Sequence, residues 1–131
     1  MPIVALYAAL LALLFVVLSL RTIRARRRLQ VAVGDGGHRD LQRAMRVHAN
    51  FAEYAPLALL LIYFVEVGSG PSALVHGLGV GLLAGRSVHA YGVSQPKEDL
   101  RFRVTGMALT FLVLIAASLY LLYRHAGGLL A

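Results

Sequence analysis

The chain has 131 residues, 59% of them hydrophobic and 15% charged, and no cysteine, which excludes an ordinary soluble domain, disulfides, thiolate metal sites and a cysteine nucleophile. Its mean hydropathy is +0.72, and its length allows a single domain. The net charge is +7, but eight of the thirteen Lys and Arg residues lie between Arg21 and Arg46, flanked by apolar runs, so the basic balance is a topology signal and a contact for anionic head groups rather than a nucleic-acid surface.

The first run, 3–20, reads IVALYAALLALLFVVLSL and has the ~20-residue length of a membrane-spanning helix. A cleaved signal peptide would carry its positive charge before the apolar run. Here the arginines follow it, which favours an uncleaved first span. The basic cluster RTIRARRRLQ, read as a solvated helix end facing the head groups, leads to Gly34, Gly36 and Gly37, which mark the loop, and Asp40 is the expected N-cap of the next helix. The second span is placed at 48–67 and contains Pro56, tolerated in membrane helices where neighbours satisfy the freed carbonyl. After a short uncharged turn, the third span runs 73–93. Gly77, Gly81 and Gly85 are spaced by four along it, a seam along which another helix can approach closely. The fourth span is 105–123, preceded by a polar loop with Arg101 and Arg103 and closed by Tyr120 and Tyr123 at an expected interface. The expected architecture is therefore all-α: one domain, 1–131, forming an integral membrane four-helix bundle. The Arg-rich first loop and the Lys97–Arg103 region share one side, which the positive-inside rule makes cytoplasmic, so both termini are expected on the non-cytoplasmic side.

The polar residues gather at one end. The segment RVHANFAEYAP, 46–56, opens the second span, and on a helix Arg46, Asn50 and Glu53 fall on one stripe with Tyr54 at its edge. Arg86 and His89 end the third span at the same depth, Arg101 and Arg103 open the fourth, and Arg24 and Arg26 follow the first. A lipid-facing stripe of this kind is expensive, so it is expected to face protein, water or a ligand. Several arginines and one buried carboxylate suit a small zwitterion with more than one carboxylate, and an arginine beside a thiol favours the reactive thiolate. The protein has no thiol, so the ligand would supply one.

RVHANFAEYAP resembles the second-helix signature of the membrane-associated proteins in eicosanoid and glutathione metabolism, with the shared pattern Arg-x-x-x-Asn-x-x-Glu-Tyr-x-Pro. The order of four spans, the basic first loop and the Gly85–His89 run are also similar, in the style of bacterial members. The resemblance implies a homotrimer binding glutathione, as co-substrate, between neighbouring subunits near the cytoplasmic face. It implies glutathione contact by Arg46, Asn50, Glu53 and Tyr54, with His89 at a third-helix position that is His or Tyr in relatives. Arg86 and Tyr91 are counted with that set, and the first-helix arginine is Arg24 or Arg26. For the fourth-helix arginine that activates the thiol, Arg103 is the first choice and Arg101 the second. No metal ligands are assigned. This chain has Val93 where relatives with a characterised synthase activity carry a tyrosine, and Ala49 where some members carry another arginine.

The implied function is a glutathione-dependent transferase or peroxidase that conjugates or reduces a lipophilic electrophile from the membrane. Two other classes compete. A non-catalytic membrane assembly protein would use Glu53 and Arg86 as an interhelical pair. A small proton-coupled transporter would use Glu53 as its titrating carboxylate, but that reading wants polar groups at mid-membrane. The setting expected for all three is a bacterial inner membrane.

Overall fold

The computed structural model describes residues 1–95, 97 and 99–129. Among these, the chain forms four helices: α1 (Ile3–Leu29), α2 (Arg39–Val67), α3 (Ser72–Ser94) and α4 (Leu100–Leu129). At 1.5 Å per residue each is ~34 Å or longer, enough to cross a bilayer. α1, α2 and α4 are also apolar enough to do so by composition, but α3, expected as the third span, is not. Its polar groups explain the difference: Arg86 and His89 are buried in the bundle, so α3 meets lipid with only part of its surface.

The helices extend past the apolar runs. α1 continues through the arginine cluster, which forms its last turns as the expected helix end, and it stops at Gln30 in the left-handed region with φ 55. Gly34, Gly36 and Gly37 all have positive φ, as the expected turn requires. α2 starts at Arg39 with His38 at the N-cap position and no side-chain cap, which corrects the expectation for Asp40. Asp40 instead sits in the first turn, where a carboxylate also favours the helix dipole. α4 begins at Leu100, placing Arg101 and Arg103 inside its first turn, and the Asp99 carboxylate accepts the Arg101 N–H at 2.9 Å.

α2 and α3 form the diagonal of the bundle. Each packs against both outer helices, whereas α1 and α4 do not pack on one another among the described residues. Two clefts result, one on the α1 side and one on the α4 side. The core between them is aliphatic, with Leu11, Val47, Ala58, Ile62, Val65, Val75, Leu82 and Ala117 nearly fully buried.

The closest approach is α3 on α4. A Cβ on Gly106 would lie 2.6 Å from the His89 backbone nitrogen and 2.7 Å from the Gly85 carbonyl oxygen, so only glycine fits there. The seam thus uses Gly85 and Gly106, with Gly81 facing Val113, while Gly77 faces open space and lies outside it, correcting the expected run. At the end opposite the arginines, the Glu66 carboxylate accepts the Ile3 N–H and, at 2.9 Å, the Val4 N–H. It occupies the position of an N-cap for α1, which has no side-chain cap of its own.

Candidate functional site

Arg86 joins three helices. It is 1% exposed, and it donates from Nε to Thr110 Oγ1 (3.0 Å), from Nη1 to Asn50 Oδ1 (2.8 Å), and from Nη2 towards Met107 Sδ (3.2 Å). Its guanidinium carbon lies 5.7 Å from the centroid of the Tyr54 ring, within cation–π range. Thr110 Oγ1 passes the chain on by donating to the Gly106 carbonyl at 2.9 Å. Satisfying a buried guanidinium in this way avoids the large penalty of an unpaired charge in a low-dielectric interior. Arg86 was expected among the ligand contacts, but its donors are directed at α2 and α4. It orients Asn50: with Oδ1 accepting from Arg86, the amide has Nδ2–H to offer outward.

Beside this knot lies a cavity of about 130 Å³ in the α4-side cleft, lined by Gln42, Arg43, Arg46, Asn50, His89, Val93 and Arg103. It brings together Arg46 and Asn50 from α2, His89 from α3 and Arg103 from α4, four of the residues expected to act together. His89 is buried, while Arg46 and Arg103 are exposed side chains at its rim. Gln42 and Arg43 were not foreseen, although they precede Arg46 by four and three residues and so share its helical face. Immediately along α4 is an apolar groove of about 380 Å³ lined by Leu100, Arg103, Val104, Met107, Ala108 and Phe111. Arg103 lines both spaces; Arg101 lines neither.

The other expected residues are placed elsewhere. Glu53, read as a buried carboxylate, is exposed on the outer face of α2 in the single chain. Tyr54 is half-buried, edge-on to Phe111 with ring centroids 5.7 Å apart, and does not line the cavity. Tyr91 is 56% exposed and meets Phe102 edge-on at 5.3 Å. Two residues on from His89, it is turned ~200° around α3, so Val93 rather than Tyr91 reaches the cavity. Arg26 folds back to donate to the carbonyls of Ala32 (3.2 Å) and Gly34 (2.9 Å), closing the basic loop. Arg24 lines a different cavity, in the α1-side cleft, of about 390 Å³ with Arg21, Arg28, Asp40, Arg43 and Ser94. Within one subunit, neither first-helix arginine joins the Arg46–Arg103 group.

A family model for the MAPEG family matches residues 4–123. The chain is also 42% identical to the inner membrane protein YecN of Escherichia coli strain K12 over 111 residues, covering 85% of this chain and 83% of that protein, with the same values for YecN of E. coli O6:H1. Together with the apolar helices, this likeness makes the chain an integral protein of a bacterial inner membrane. The chain belongs to the MAPEG family, whose members include glutathione-related transferases and peroxidases.

Proposed function

We propose that this protein is a glutathione-dependent membrane transferase or peroxidase acting on a lipophilic electrophile, and that it works as a homotrimer. The observation that carries this reading is the position of Arg103, in the wall shared by a polar cavity and an apolar groove. A hydrophilic thiol and a lipophilic substrate held in those two spaces would meet at its guanidinium.

The residues divide the work chemically. Arg46 and Arg43 offer paired hydrogen bonds to the ligand's carboxylates, and Asn50 offers an amide donor to a peptide carbonyl. Arg103 stays protonated at neutral pH, so it cannot take the thiol proton; it stabilises the thiolate while the proton leaves to water. In conjugation, the thiolate sulfur forms a bond to an electrophilic carbon and the leaving group departs with its electron pair. Holding both reactants in adjoining spaces supplies the proximity term.

Two features support the trimer. The polar cavity is well below the ~300–1,000 Å³ usual for a small-molecule site, so a tripeptide needs a second wall. Glu53 also projects from the outer face of α2 beside Leu57 and Leu60, where lipid contact would be costly and a neighbouring subunit would relieve it. In this reading the arginine end faces the cytoplasm and both termini face out.

The test is thermal unfolding of the detergent-purified oligomer with glutathione and with S-methyl glutathione. Saturating ligand stabilises by RT ln(1 + [L]/Kd), about 2.7 kcal/mol at a hundredfold excess over Kd. A saturable shift that is lost in Arg46→Ala and Glu53→Gln is expected. Arg103→Ala is expected to lower turnover of an aryl halide far more than it lowers the shift. No shift up to millimolar glutathione in a folded oligomer would sink the reading and favour a purely structural assembly, for which the Arg86–Asn50–Thr110 knot is already complete.

A further inference from the structure

The α1-side cleft shares only Arg43 with that chemistry, and it is the more basic of the two. Arg21, Arg24, Ala25 and Arg28 follow one another at i, i+3, i+4 and i+7, so three arginines of the basic cluster share one face of α1. Across from them, α2 contributes Asp40, Arg43 and Ala44 at i, i+3 and i+4, and Ser94 closes the space from the end of α3. Four guanidinium groups and one carboxylate therefore line a single cavity of about 390 Å³. Arg24 and Arg28 have no hydrogen-bond or ion-pair partner among the described residues. An open, multiply cationic cavity of this kind suits a phosphate, which arginine binds with paired hydrogen bonds.

A second space says what the phosphate is attached to. Below the arginine cavity, a groove of about 430 Å³ runs between α1 and α3, lined by Leu14, Leu18 and Arg21 on one wall and by Ser87, Ala90, Tyr91, Ser94 and Gln95 on the other. Arg21 and Ser94 belong to both spaces. The Arg21 guanidinium donates to Ser94 Oγ and, at 3.2 Å, to the Ser94 carbonyl, so this pair is the boundary between a cationic upper space and a lower one that adds the apolar surfaces of Leu14, Leu18, Ala90 and Tyr91. The apolar run of α1 ends at Leu20, which puts Arg21 at head-group level, and Leu14 lies ~10 Å deeper along the helix.

We infer that this cleft is a binding site for an anionic phospholipid, with its phosphate among Arg21, Arg24 and Arg28 and an acyl chain along Leu14, Leu18, Ala90 and Tyr91. Basic pockets between membrane helices take anionic head groups for the same electrostatic reason. The continuous groove favours a lipid over a free phosphate, because a soluble anion would gain nothing from the apolar wall. Its cavity lies on the other side of the α2–α3 diagonal from Asn50, His89 and Arg103, and it has only Arg43 in common with the proposed glutathione site.

Native mass spectrometry of the full-length oligomer in mild detergent tests it, with phosphatidylglycerol, phosphatidylcholine and glycerol 3-phosphate as separate probes. The wild type is expected to retain phosphatidylglycerol at least tenfold better than phosphatidylcholine and to retain no glycerol 3-phosphate at the same concentration. Arg24→Gln with Arg28→Gln should bring the two lipids within twofold of each other. Ser87→Trp, an exposed position in the groove wall, should weaken phosphatidylglycerol retention without touching the arginines. These three side chains are all exposed, and an unchanged oligomer mass with unchanged circular dichroism verifies that each variant is folded. Equal retention of both lipids by the wild type, or an unchanged preference in the double arginine variant, would overturn the proposal. So would glycerol 3-phosphate binding as well as the lipid, which would make the cavity a soluble-anion site.

Discussion

Asn50 and Arg46 stand four residues apart on α2 and differ in what holds them. Asn50 accepts from the buried Arg86, whereas Arg46 is exposed at the cavity rim. Removing the Asn50 side chain leaves a buried guanidinium hydrogen unmatched, at a cost of about 1–3 kcal/mol. Asn50→Ala is therefore expected to lower the unfolding midpoint and abolish any glutathione-dependent shift together. Arg46→Ala is expected to abolish the shift while the unliganded midpoint moves by less than ~0.5 kcal/mol equivalent. Equal destabilisation in both variants, measured by thermal unfolding in detergent, would contradict this division. The polar stripe was visible in the spacing of Arg46, Asn50 and Glu53, but spacing places side chains on a face without saying which neighbour engages them. That Asn50 turns to Arg86 while Glu53 turns outward depends on where α3 and α4 stand.

At the scale of helices, two contacts set the packing. Gly106 meets the α3 backbone so closely that a methyl group has nowhere to go, while Gly77 has open space around it. Gly106→Ala is expected to destabilise the bundle by about 1–3 kcal/mol through forced separation of α3 and α4. Gly77→Ala should be neutral or stabilising by up to ~1 kcal/mol, because alanine is the better helix former. Comparing the two midpoints separates packing from propensity, and similar effects would refute the assignment of the seam. The second contact is Glu66, whose carboxylate accepts the first N–H groups of α1. Glu66→Ala should cost about 0.5–2 kcal/mol, as loss of a helix cap does. Faster amide exchange confined to the first turn of α1 would show it; an unchanged exchange pattern would refute it. Nothing in the local sequence marked Glu66 for this role, since its partner lies 63 residues away.

For the whole molecule, the absence of cysteine makes orientation directly measurable. Single substitutions His38→Cys, in the basic turn, and Ser72→Cys, at the other end of the bundle, are exposed positions. With an impermeant maleimide on intact cells stripped of their outer membrane, Ser72→Cys is expected to react and His38→Cys to react only after lysis. The reverse pattern would invert the orientation. The expectation rests on the arginine-rich connection between α1 and α2, against which only Arg124 stands on the opposite side.

The sequence by itself determined that this is a helical membrane protein, because apolar runs of that length have few other ways to satisfy their backbone, and the second-helix motif determined its family. It also showed which end of the bundle carries the polar chemistry, since helix ends follow from where the apolar runs stop. Tertiary structure alone decided the rest. It set α2 and α3 as a diagonal with a cleft on either side, committed Arg86 to Asn50 and Thr110, and divided the arginines between two cavities that have only Arg43 in common. Arginines that are neighbours in sequence point in different directions on a helix, and the cleft each one enters is fixed only once another helix supplies the opposite wall.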